Sequence, residues 1–292
     1  MRNTLFDLSG KIDNHTVGAL HEIQKASEAL GIPFFVVGAL ARDIILKHCY
    51  GIEPPRMTRD VDLGVEVPNW EMFNQLKDYL VGTGKFIAAR ERQRLLYNSM
   101  PIDIVPFGEI VNQQQQISWP PEHEVYMSLL GFDEAYEHSV LIRLSSEPLL
   151  DVKLPSLPGL AIMKIVAWKE KYPQRKKDAQ DLLFIMHNYE NAGNFDRLYE
   201  EEADLLQAED YDTQQASIRL LGRDMAVIAN HRTNEEIKAI LDAETGDKSQ
   251  NRLIIDMINR TASFDRDFET IKLHIEKLKV GFIEAQKKVG LE

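Results

Sequence analysis

The chain has a single cysteine, Cys49, among 292 residues. No disulfide can form within it, and a reducing compartment is its natural setting. Long apolar runs are also missing. The two longest apolar stretches, 32–46 and 154–168, are broken by Arg42, Asp43, Pro158 and Lys164. They are too short and too charged to cross a bilayer, so no membrane partner is expected. The opening MRNTLFDLSGKID lacks a basic-then-apolar pattern, and a cytoplasmic protein is expected. No Gly-rich phosphate loop of the P-loop or dinucleotide kind occurs. The eight histidines include no pair at helical spacing around a glutamate, which leaves zinc without a ligand set. Positive charge is scarce too: 34 Lys and Arg stand against 46 Asp and Glu, a net charge of −12. That excludes broad, sequence-blind binding to nucleic acid as the main activity, because such binding depends on many cation–phosphate contacts. A local basic groove is still allowed.

What is present is an ordinary globular composition, 44% apolar, in a chain long enough for two domains. Apolar periodicity predicts a helix over 15–30, stopped by Gly31, and a strand FFVV over 34–37. A helix over 39–49 and a strand over 60–67 follow, then a helix from Trp70 capped by Asn69. Three short strands, KFIAAR, QRLLYN and PIDIVPF, occupy 85–107, and two more cover 139–144 and 149–154. From Leu157 the pattern is helical to the end of the chain. The shift at Pro155–Pro158 divides the sequence into a mixed α+β domain, 1–154, and an all-helical domain, 155–292.

Within the first domain, Phe34–Val67 concentrates the chemistry. Gly38 ends a strand and starts a helix, where the backbone can approach a phosphate; a plain tight turn is the alternative. Arg42, one turn on, is placed to reach a phosphate or to pair with an acid. In TRDVDLGVEV, Val61, Leu63, Val65 and Val67 alternate with Asp60, Asp62, Gly64 and Glu66, the period of a half-buried strand. Asp60 and Asp62 therefore share a face, about 6.5–7 Å apart along the strand. Aspartate is depleted in strands, and two close carboxylates repel unless a cation lies between them. A solvent-facing edge strand is the other explanation. Asp103, between Ile102 and Ile104, is either a sheet-edge polar residue or a third metal ligand.

In the second domain, Lys164 interrupts the apolar run LAIMKIVAW. Its charge must snorkel to water or meet an anion. Asp178 and Asp181 share a helix face, where ion pairing is the expected use for Asp181. Basic residues gather between Lys153 and Lys177. The acidic run YEEEADLLQAED, 199–210, reads as a solvated helix face.

Taken together, VVGALARD, TRDVDLGVEV, IDIVPFGEI, SLPGLAIMKIVAWKEK and KKDAQDL resemble the AbiEii/AbiGii toxin-type nucleotidyltransferases of the polymerase β-like superfamily, in order and spacing, over about 34–183. The resemblance implies a nucleotidyltransferase-type mixed sheet flanked by helices. It puts Mg²⁺ binding and acceptor activation on Asp60, Asp62 and Asp103. It also implies nucleotide contacts at Gly38, Ala39, Arg42, Lys164 and Asp178. The implied partners are an NTP, a tRNA 3′ end or other RNA as acceptor, and an antitoxin protein. The turn departs from the family pattern, since Gly38-Ala39 replaces Gly-Ser or Gly-Gly. A catalytically weak nucleotide-binding sensor or interaction module is therefore the alternative. A tRNA-maturing or antibiotic-modifying nucleotidyltransferase is a further one.

Overall fold

In a computed structural model covering residues 6–246, 249–258 and 264–289, the chain divides into two compact units, 1–156 and 157–292. The last three residues of the expected helical tail lie outside the described residues.

The first unit opens with a two-residue strand, β1 (Phe6–Asp7), and helix α1 (Asn14–Leu30). The Asp13 side chain caps α1 by accepting the Thr16 N–H at 2.9 Å, and Gly31 ends it in the left-handed region, φ 65°. Strand β2 (Phe34–Val37) leads straight into α2 (Gly38–Asp43), which widens into a π-type turn over Ile44–Cys49. Then come β3 (Val61–Glu66) and α3 (Trp70–Gly82), the latter capped by Asn69 Oδ1 on the Met72 N–H at 3.0 Å. Three further strands, β4 (Phe86–Ala88), β5 (Arg94–Tyr97) and β6 (Met100–Phe107), complete a mixed sheet of order β2-β3-β6-β5-β4.

Strands β3 and β6 run parallel, and the others pair antiparallel. The two strands that carry the aspartates are thus interior. This removes the edge-strand explanation for Asp62 and the sheet-edge one for Asp103; Asp60 lies one residue before β3, which begins at Val61 rather than at 60. Register also accounts for the two faces. Val61 lies opposite Ile102 and Leu63 opposite Ile104, so the apolar positions of both strands form one continuous buried patch. Each such side chain contributes about 1.5–3 kcal/mol by leaving water.

Beyond the sheet, a hairpin of β7 (Gln116–Ser118) and β8 (Tyr126–Ser128) precedes α4 (Phe132–Glu137). A second sheet of order β1-β9-β10 uses β9 (Val140–Ser146) and β10 (Leu149–Leu154). The β7–β8 hairpin, α4 and β1 are additions to the sequence reading. All three are short, and the hairpin follows a Gln-rich stretch with no alternation to mark it.

The second unit holds α5 (Leu157–Glu170), α6 (Lys176–Asn188), α7 (Phe195–Glu200), α8 (Ala203–Ala208), α9 (Thr213–Ile228), α10 (His231–Thr245), α11 (Arg252–Met257) and α12 (Phe264–Val289). Helices α9 and α12 touch backbone to backbone. A Cβ on Gly222 would stand 2.1 Å from the Leu278 carbonyl oxygen, and one on Gly281 would stand 1.8 Å from that of Arg219. The acidic run at 199–210 is largely the solvated face its composition suggests, with Glu200, Glu201, Asp204 and Asp210 exposed, but some of its acids are engaged. Glu209 is buried and accepts from Arg219 at 2.7 Å, and also pairs with Lys277. Glu202 and Asp204 meet Arg223 at 2.8 and 2.9 Å. Arg197 on α7 adds local pairs to Glu201 and Glu202, whereas Arg219, Arg223 and Lys277 come from α9 and α12, beyond the reach of local charge patterning. Among the described residues, no helix is long and apolar enough to cross a membrane.

Candidate active site

The acidic face of the central sheet is built by strand alternation. Asp62 on β3 lies directly opposite Asp103 on the parallel neighbour β6, so the pleat turns both carboxylates the same way. Asp60 shares that face one residue before β3 begins, and its Oδ1 accepts the Thr58 hydroxyl at 2.7 Å. Further along the face the character changes. Phe35 from β2 lies over Gly64, where any Cβ would meet its ring at 2.1 Å. Its ring contacts Phe107, Phe132 and Tyr136 edge-on, with centroids 5.2–6.1 Å apart. One half of the face is therefore a closed aromatic floor, and the other presents carboxylates.

Gly38 meets this carboxylate half. Val37 pairs with Asp62 across β2 and β3, so the turn that follows comes down on the aspartate. Its φ is +71°, and a Cβ there would stand 2.1 Å from Asp62 Oδ2. Only glycine combines that backbone with that approach. Ala39, the next residue, is partly exposed, and no side chain caps this end of α2. The backbone of this turn thus approaches the Asp62 carboxylate closely.

Arg42 is placed differently from Gly38 and Ala39. Its side chain is 0% exposed and pairs with Asp43, with Nε at 2.8 Å and Nη2 at 2.5 Å from Oδ1. Its guanidinium is already committed to a buried carboxylate. Lys164 and Asp178 lie in the helical unit. Lys164 Nζ is buried, 2.8 Å from both Asp178 and Asp181. The two carboxylates raise its pKa against the burial that would lower it. The ammonium thus meets protein anions and keeps its proton, and it ties α5 to α6. Much of the surrounding basic cluster is also paired. Arg175 donates to Asp178 at 2.5 Å, Lys176 lies 3.2 Å from Asp256, and Lys153 stands over the Tyr136 ring at 3.9 Å.

One residue of the acidic face was not legible as functional from its own segment. Arg94 of β5 lies opposite Asp103 and grips it with two parallel bonds, Nε to Oδ1 at 2.8 Å and Nη2 to Oδ2 at 2.7 Å. This fork-on-carboxylate geometry is the strong form of a charged hydrogen bond, and it raises the Arg94 pKa further. The signal existed in the turn. Asn98 and Ser99 both have positive φ, and Tyr97 pairs with Met100. A two-residue turn at those positions fixes the count that brings 94 opposite 103. Cys49, in contrast, carries no chemistry: burial pushes its thiol up to about 11.

The three aspartates offer hard carboxylate oxygens, the donors that Mg²⁺ takes. The interior position of both strands leaves no edge role for Asp62 and Asp103, and the donor set fits a divalent cation. Among the described residues, no three metal-ligating side chains already converge on one point. Asp103 is turned to Arg94 and Asp60 to Thr58.

The chain is similar to several known proteins. Similar solved structures include the antibiotic-resistance factor ANT(2'')-Ia in solution, at 15% identity and TM-score 0.36, covering 68% of this chain and 99% of that one. An antigenic nucleotidyltransferase-like protein from Paracoccidioides brasiliensis shows 16% identity and TM-score 0.39 over 69% of this chain and 93% of its own. A CCA-adding enzyme in complex with ATP shows 12% identity and TM-score 0.32 over 96% and 81%. No curated protein sequence matches the chain. The pattern described as nucleotidyl transferase AbiEii toxin, type IV TA system, matches residues 26–271, and with that span the chain belongs to the AbiEii nucleotidyltransferase family.

Proposed function

We propose that the protein transfers a nucleoside monophosphate from an NTP to an acceptor hydroxyl, using Mg²⁺ held by Asp60, Asp62 and Asp103. The observation that carries the site assignment is the register of the sheet. It sets Asp62 opposite Asp103 on interior strands and brings Gly38 against Asp62. The bound cation would supply charge neutralisation for the phosphates and the leaving group. The chain's own residues divide the remaining work. Asp103 accepts the proton of the acceptor hydroxyl, whose oxygen forms a bond to the α-phosphorus. The bond from that phosphorus to the β-phosphate oxygen breaks, and pyrophosphate leaves. Positioning and charge do most of the catalysis in such a reaction. Gly38 and Ala39 present backbone N–H groups to the phosphates. Nucleotide contacts by Arg42, Lys164 and Asp178 are part of the proposal on the strength of the family motifs alone, since all three are engaged in ion pairs.

A tRNA 3′ end is the acceptor the family resemblance favours, with growth arrest as the outcome, an antitoxin protein as the control and a cytoplasmic setting consistent with the lone Cys49. The net charge of −12 and the pairing of much of the basic cluster argue for few phosphate contacts to that RNA. To test the acceptor, the protein is incubated with Mg²⁺, each NTP labelled at the α-phosphate, and total cellular RNA and protein. Label in the tRNA fraction supports the proposal. Label confined to protein would move the acceptor to a protein hydroxyl.

A further inference from the structure

We propose that Arg94 is a positioning residue that holds Asp103 until nucleotide arrives, making cation binding at the carboxylate set depend on bound NTP. The inference rests on the reading of Asp60, Asp62 and Asp103 as the metal-holding set.

Three carboxylates on one sheet face repel one another, and something must offset that charge when no cation is bound. Arg94 does so here. Its fork occupies both oxygens of Asp103, and Asp60 is near enough to act on it electrostatically. The pair is accessible, with the Arg94 side chain 31% exposed and that of Asp103 15% exposed. The Arg94 guanidinium can leave the carboxylate toward water, unlike that of Arg42, which is 0% exposed in its pair with Asp43.

Both oxygens of Asp103 are engaged, so a cation arriving alone must displace at least part of a bidentate bond and leave a guanidinium without its anion. That exchange is unfavourable. A metal–nucleotide complex changes the balance because it brings both charges together. The cation replaces Arg94 on Asp103, and phosphate oxygens replace Asp103 on Arg94. A guanidinium fork matches phosphate as well as carboxylate. Asp103 is then released to take the acceptor proton only when a substrate is present. The arginine therefore guards the third carboxylate against idle occupation by free metal.

The test measures binding of Mn²⁺ by its paramagnetic signal, with and without a non-hydrolysable NTP analogue. It compares the wild-type protein with Arg94→Gln and Arg94→Lys. The wild type is expected to bind Mn²⁺ weakly alone and tightly with the analogue. Arg94→Gln should bind Mn²⁺ alone about tenfold more tightly or better, from removal of one nearby positive charge, and lose most of the dependence on the analogue. Arg94→Lys keeps the charge without the fork and should fall between the two. It also serves if Arg94→Gln does not fold. If both variants bind Mn²⁺ as the wild type does, with and without the analogue, Arg94 is a structural brace and the inference fails. If the wild type binds no Mn²⁺ even with the analogue, the metal-holding reading of the three aspartates fails, and the inference with it.

Discussion

At the residue scale, Gly38 is the position where the least change should do the most harm. It combines a left-handed backbone with a 2.1 Å approach of any Cβ to Asp62 Oδ2. Gly38→Ala must push either the turn or the aspartate aside. A displacement of about 1 Å at a reacting centre costs on the order of a hundredfold in rate. Steady-state kinetics should therefore show kcat falling by about that factor, while a thermal melt moves far less. The glycine and the aspartates were legible in sequence, because strand alternation and a strand-to-helix break are local patterns. The partner of Asp103 was not. Arg94 looks like any arginine in QRLLYN until the Asn98-Ser99 turn fixes the register. Arg42 and Lys164 were each open to a phosphate or to another anion, and both meet protein carboxylates: Arg42 its chain neighbour Asp43, and Lys164 the Asp178 and Asp181 of the next helix.

At the scale of elements, two contacts in the helical unit should respond to small changes. The α9–α12 crossing depends on Gly222 and Gly281, each with a backbone oxygen of the facing helix where a Cβ would go. Backbone cannot yield as a side chain can, so Gly281→Ala must separate the helices. Some 1–3 kcal/mol of overpacking destabilisation is expected. A denaturant titration should show the midpoint falling by that amount with little change in slope.

The second contact is the pair His187–His274, Nε2 to Nδ1 at 3.0 Å between α6 and α12. One ring must donate and the other accept, which requires at least one neutral imidazole. Burial lowers both pKa values, that of His274 to about 4, with His187 adding to the effect and Asp212 opposing it. The unfolded chain takes up these protons below about pH 6.5, and folded His274 only near 4. Stability from this pair is therefore complete above about pH 6.5 and is lost as pH falls from there toward 4. The slope is up to about 1.4 kcal/mol per pH unit for each ring. Chemical denaturation across that range should show the decline, and His274→Leu should flatten it. Neither helix-to-helix contact could be read from sequence, because 87 residues separate the two histidines and glycine inside a helical pattern gives no hint of what approaches it. Helix existence, by contrast, was clear from the 3.6-residue period, and the cap at Asn69 from residue type.

At the scale of the whole molecule, the chain combines a carboxylate-bearing mixed sheet with membership of the AbiEii nucleotidyltransferase family. The mixed-then-helical order of the sequence was visible because strand and helix periodicities differ and change over near Pro155–Pro158. The internal wiring of the helical unit was not, since its acids and bases pair across 61 residues and more, as Arg223 does with Glu284. The central claim is that Asp60, Asp62 and Asp103 act as one carboxylate set in nucleotidyl transfer. The most direct measurement follows pyrophosphate release and label transfer from an α-labelled NTP to the acceptor, comparing the wild type with Asp62→Asn at equal folded concentration. The two products should appear together in the wild type and fall by about a hundredfold or more in Asp62→Asn. Transfer at the wild-type rate by Asp62→Asn would contradict the claim.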